Sequence, residues 1–185
     1  VKVVSAHRQQ EGAGFVVRRP FPSTSLRHAD PFLLLDEMGP VEYQPGEAIG
    51  APDHPHRGFE TVTYVLEGEG EHEDSAGHSG TIGPGDVQWM TAGRGIVHSE
   101  MFPLLSQAAP NPLELFLIWI LLPKEEKFVE PHFSMFWDEQ IPKLLFGNNF
   151  DEVTDKDFRQ VLDRLKQRLQ EMGVLAVRPL LEEAP

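Results

Sequence analysis

The 185 residues contain no cysteine, which excludes disulfide frameworks, thiolate zinc sites, iron–sulfur clusters and cysteine nucleophiles together. Any bound metal must be held by histidine and carboxylate. Positive charge is scarce: 16 Lys and Arg stand against 29 Asp and Glu, a formal net charge of −13. That is the wrong sign for a surface that embraces phosphates, so direct nucleic-acid binding is disfavoured. Long apolar runs are missing too. The greasiest stretch, Leu113–Leu122, is about half of the roughly 20 residues needed to span a bilayer and reads as a buried strand. The chain opens Val1-Lys2-Val3-Val4-Ser5-Ala6-His7-Arg8, with no basic, apolar and small-residue succession of a signal peptide. The expectation is a soluble cytoplasmic protein, or a nuclear one in a eukaryote, with no membrane contact. No internal repeat or low-complexity tract is visible.

What is present points to a folded, turn-rich β protein. Hydrophobic residues make up 40% of the chain, enough for a real core, and the length suits one domain plus an appendage. The 16 Gly and 16 Pro fall mostly before residue 115, between short apolar runs. Pro31–Asp36 reads as a strand ending in a turn at Gly39-Pro40, and loop signals follow from Pro45 to Pro52. Phe59–Leu66 is rich in β-branched and aromatic residues, the composition of a half-buried pleated surface. Further short strands are expected at Glu69–Glu73, Val87–Met90 and Ile96–Met101, separated by the turns Ser75–Gly80, Gly83–Asp86 and Gly93–Gly95. Regular strands and turns of this kind argue for a barrel or sandwich.

The pattern changes after about residue 145. Thr154 and Asp157 form a capping-box-like pair, and Phe158, Val161, Leu162, Leu165, Leu169 and Met172 recur at helical spacing before Gly173. This predicts one amphipathic helix, Asp155–Met172, packing on the barrel or on a second subunit.

Two short histidine-containing segments carry the chemistry: Asp53-His54-Pro55-His56 and Val97-His98-Ser99-Glu100. Residues i and i+2 of a strand share a face, so His54 pairs with His56 and His98 with Glu100. If the two strands are neighbours, four ligands converge inside the barrel. Three neutral imidazoles and one carboxylate suit Fe(II), Mn, Ni or Zn and leave exchangeable positions for O₂ or substrate. His72 and His78 flank a polar turn and are expected in solvent. Phe59, Trp89 and Met90 are expected in the core or pocket wall, and Arg57 or Arg94 is a candidate for holding an anionic or phenolate group.

The runs Asp53–Gly68 and Pro84–Glu100, with Asp30–Glu37 upstream and Leu113–Pro142 downstream, resemble the pirin family of the cupin superfamily. The resemblance covers roughly residues 1–144. It implies a mainly β cupin fold, the double-stranded β-helix or jelly-roll barrel; the sequence departs from the family over residues 145–185, where a helical C-terminal extension is expected in place of the second barrel. It also implies a metal, usually iron, on residues matching His54, His56, His98 and Glu100. The generic cupin pattern offers Glu60 instead of Glu100. The pirin resemblance favours Glu100, with Glu60 left to hydrogen-bond behind the ligands. A missing second barrel would expose apolar strand surface around Leu115–Leu122, to be covered by the helix or by a second copy, hence an expected homo-oligomer.

Two functions follow from this resemblance. One is an iron-dependent dioxygenase, similar to quercetin 2,3-dioxygenase, taking a small aromatic substrate such as a flavonol, with Glu100 both ligand and proton acceptor. The other is a metal-dependent, redox-sensing regulatory module that binds a protein partner without turnover.

Overall fold

The computed structural model describes residues 4–45, 47, 49–103 and 106–141. The helix expected at Asp155–Met172 and the domain boundary near residue 144 lie outside them. Eleven strands run in order among the described residues: β1 His7–Glu11, β2 Phe15–Phe21, β3 Phe32–Tyr43, β4 Ile49–His56, β5 Phe59–Glu67, β6 Gly70–Asp74, β7 Ser79–Ile82, β8 Val87–Thr91, β9 Ile96–Phe102, β10 Asn111–Leu121 and β11 His132–Phe136. All fall within one contact unit, Val1–Asp138. They form a seven-stranded sheet, β1-β2-β3-β10-β5-β8-β11, and a four-stranded sheet, β4-β9-β6-β7. No described helix is long and apolar enough to cross a membrane.

The inner faces of the two sheets meet in a core of Phe15, Val17, Met38, Val65, Leu113 and Leu115 from the larger sheet and Ile82 from the smaller. Burying each such aliphatic side chain contributes about 1.5–3 kcal/mol. A smaller cluster of Met90, Ala92 and Ile96, with Phe133 against it, closes one end. β5 shows why its composition was informative: Val62 and Val65 are buried, and so are Thr61 and Thr63, because the strand lies between β10 and β8 with partners on both edges.

Three expectations are corrected here. The anticipated turn at Gly39-Pro40 is a continuation of β3. Gly39 adopts φ +91°, and the pairing of β3 with β10 shifts register between Leu113 and Leu115. A Cβ at position 39 would lie 2.1 Å from the Leu113 carbonyl oxygen, so glycine permits a bulge where a turn was read. Second, the loop signals before Pro52 overlap the start of β4, which tolerates Pro52 and Pro55 beside its own bulge. Third, Leu115–Leu122 is not an exposed apolar face. Leu115, Ile120 and Leu122 are 3%, 5% and 1% exposed, and the residues between are half-buried, in a strand flanked on both edges by β3 and β5.

Candidate metal centre

β4 and β9 are antiparallel neighbours, with His54 opposite His98 and Ala51 opposite Glu100. The register shifts between those two pairs, so β4 spends one residue more than β9 over the same distance. That bulge at Pro52-Asp53 keeps Ala51, His54 and His56 on the face shared by His98 and Glu100. The adjacency required by the two i, i+2 pairs is therefore met.

His54, His56 and His98 bring one ring nitrogen each within 4.8 Å of one another. Their ring centroids are 4.4–4.8 Å apart. His54 Nδ1 is 2.8 Å from the Pro52 carbonyl oxygen. A carbonyl only accepts, so Nδ1 carries the proton and Nε2 presents a lone pair. That Nε2 lies 3.0 Å from His98 Nε2. Burial, reinforced by His54, lowers the His56 pKa to about 4; burial and the neighbouring histidines His54, His56 and His72 lower that of His98 to about 2. The buried rings are thus neutral, with nitrogens turned toward one another. A cation between them is the simplest way to satisfy such a set, and the 3.0 Å between His54 Nε2 and His98 Nε2 lies within the span of two imidazoles on one ion at about 2.0–2.1 Å. The donors fit a metal.

Glu100 stands beside this group without joining its 4.8 Å set. It lines the same cavity as His54 and His56, and its Oε1 accepts a hydrogen bond from Thr63 Oγ1 at 3.2 Å. Burial pushes its pKa up, against the pull of His54 and the Thr63 bond. Glu60 points elsewhere: it is fully buried, and its Oε1 accepts from Thr91 Oγ1 at 2.7 Å.

The cavity holds about 420 Å³, within the usual range for small-molecule sites. One wall is apolar, with Leu34, Met38, Leu115, Leu117 and Trp119 from β3 and β10. Trp119 packs 5.0 Å from the His56 ring and 4.7 Å from Phe59, centroid to centroid. The lining cation is Arg19, which holds Asp36 with two 2.6 Å hydrogen bonds and Glu11 at 2.9 Å. Arg57 and Arg94 do not line the cavity. Arg57 sits over the Phe128 ring and Arg94 pairs with Glu130, so the anion-holding role considered for them is not supported.

Sequence reading missed Arg19, although Phe15, Val17 and Arg19 share a strand face by simple alternation. It also misplaced His72, which is 3% exposed. His72 Nδ1 lies 3.2 Å from His98 Nδ1 and 3.2 Å from Gln88 Nε2, while its Nε2 faces Asp74 Oδ2 at 3.3 Å. Asp74 accepts from the Ala76 and His78 amides at Oδ1 and from His78 Nδ1 at Oδ2. Burial opposes ionisation of Asp74, but these hydrogen bonds outweigh it and hold the carboxyl below its ordinary range. Phe133 stacks on His72, 4.5 Å away at 17°.

A cupin-type β-barrel with a three-histidine group able to hold a metal is the class that fold and site define. The Pirin family profile matches residues 14–120, and the chain belongs to that family. It is 50% identical over 143 residues to a pirin-like protein of Solanum lycopersicum, covering 77% of this chain and 46% of the relative. A crystal structure of quercetin 2,3-dioxygenase from Acinetobacter baumannii superposes with TM-score 0.69 at 37% identity, over 77% of this chain and 50% of that one. A bacterial pirin from Escherichia coli in complex with nickel(II) gives TM-score 0.56 at 27% identity, over 71% and 54%. The chain spans about half the length of the curated relatives it matches.

Proposed function

We propose that the chain is a metal-dependent oxygenase of the quercetin 2,3-dioxygenase kind, acting on a small flavonol-like aromatic, with iron(II) held by His54, His56, His98 and Glu100. The observation that carries this reading is the three-histidine group opening into a 420 Å³ cavity with one apolar wall. The dioxygenase relative and the nickel-containing pirin support it as a class of chemistry.

When bound, the metal supplies Lewis acidity and an electron path between substrate and O₂. The protein's own groups do the rest. Leu117 and Trp119 offer a flat apolar surface for an aromatic ring and keep water away. Glu100, its basicity raised by burial, takes the proton of the substrate hydroxyl at a carboxylate oxygen, while Thr63 holds the other side of that group in place. The Arg19–Asp36 pair offers a donor and an acceptor to a distal hydroxyl. With Glu11, Asp36, Asp53 and Glu100 against Arg19, the lining is acidic overall and favours neutral phenols over carboxylated ones.

Elemental analysis of purified protein beside O₂ uptake with quercetin as probe tests this reading. About one metal per chain and metal-dependent O₂ consumption are expected. Stoichiometric metal with no uptake overturns the oxygenase and leaves the redox-sensing regulatory module.

A further inference from the structure

The hydrogen-bond partners around His72 fix a sequence of proton positions. Gln88 Nε2 is a donor only, so His72 Nδ1 accepts from it. His98 Nδ1 lies 3.2 Å from the same His72 atom and donates there when it carries the ring proton. His72 Nε2 holds the remaining ring proton and gives it to Asp74 Oδ2. A metal on His98 Nε2, the atom that faces His54, leaves the His98 proton on Nδ1, where His72 Nδ1 accepts it. Phe133, stacked on His72, keeps that ring from turning away.

We infer that Asp74, acting through His72, decides which nitrogen of His98 is free for the metal: it is a positioning residue outside the ligand set, two hydrogen bonds from His98. This rests on the metal centre proposed above. The geometry makes Asp74 hard to replace even by its own amide. Oδ1 accepts two backbone N–H groups, from Ala76 at 2.9 Å and His78 at 3.0 Å. In Asp74→Asn the amide oxygen must keep that place, which puts the NH₂ where Oδ2 was. His72 Nε2 then has to accept, its proton moves to Nδ1, and that proton confronts His98 Nδ1–H. His98 relieves the conflict by shifting its own proton to Nε2, the nitrogen the metal requires.

The test has two readouts on the full chain. ¹⁵N NMR of the imidazoles in metal-free protein near neutral pH should show His72 protonated at Nε2; in Asp74→Asn, His72 should switch to Nδ1. Calorimetric titration with nickel(II) alone should show a loss of about 10- to 100-fold in affinity for Asp74→Asn, the range for outer hydrogen-bond partners of metal ligands. His78→Gln, altered at the half-exposed end of the network, should stay within about twofold. Wild-type His72 found protonated at Nδ1 overturns the inference whether or not the variant folds. So does a folded Asp74→Asn protein with unchanged tautomer, or with nickel affinity within about twofold of wild type. Failure of the wild type to bind nickel with the tautomers as assigned would sink the metal centre and leave the tautomer control standing, so the two failures are distinguishable.

Discussion

Arg19 holds Asp36 in a two-pronged grip, Nε and Nη2 each 2.6 Å from a carboxylate oxygen, with only 14% and 5% of the two side chains exposed. Burial pushes the Asp36 pKa up despite Arg19, so the carboxylate depends on its partner to remain charged. Arg19→Met should destabilise the protein by about 3–5 kcal/mol, because it strands a buried charge. The double substitution Arg19→Met with Asp36→Leu should recover much of that loss. Urea denaturation of the wild type and the two variants decides the matter; a single-variant loss below about 1 kcal/mol would show that the pair is effectively solvated.

The proposed ligand set predicts an order among substitutions. His56→Ala and His98→Ala should each abolish stoichiometric metal, read by elemental analysis. Glu100→Gln should weaken binding sharply while preserving shape. Glu60→Gln should leave affinity nearly unchanged and lower the melting temperature instead, since Glu60 is buried against Thr91. A Glu60→Gln protein that folds normally but cannot hold metal would restore the generic cupin assignment.

Acid should weaken the metal-free protein through its buried histidines. An unfolded histidine has a pKa near 6.5, whereas His56 is lowered to about 4 and His98 to about 2. Below about 6.5 the unfolded chain takes up protons that the native state refuses. Stability is therefore full above that pH and falls as pH drops, by about 3 kcal/mol from His56 alone once pH reaches 4. Urea midpoints of chelator-treated protein between pH 7 and 4 measure this. A flat profile would mean the rings are not buried neutral.

Trp119 lies against His56, so a paramagnetic ion at the centre should quench its fluorescence. Nickel(II) titration should dim the emission in proportion to occupancy. Trp119→Phe should remove most of the response, although Trp89 and Trp137 remain. Equal quenching in that variant would place the ion elsewhere.

The parts of this site legible in the sequence were those that depend on alternation within a strand. His54 and His56, and His98 and Glu100, follow from period two alone, and their joining required only that β4 and β9 be neighbours. What could not be read depends on partners from other strands. His72 looked like a residue beside a polar turn because Ser75–Gly77 follow it closely, yet β6 pairs with β9 and places His72 opposite Glu100, next to His98. Arg19 carries no signal of its own in the sequence, because its partner Asp36 comes from β3, which pairs with β2. Gly39-Pro40 carries the same local signal for a turn and for a bulge, and only the approach of Leu113 distinguishes them.

The two sheets divide the labour in a way that bears on how such a protein changes over generations. The imidazoles stand on β4 and β9 of the smaller sheet, while the apolar wall is built on β3 and β10 of the larger. Substitutions at Leu34 or Leu117 reshape what the cavity admits on strands that carry none of the three histidines. On the oxygenase reading proposed above, selection can thus explore new substrates one wall residue at a time while the histidine group stays intact, and specificity is expected to be more evolvable than chemistry.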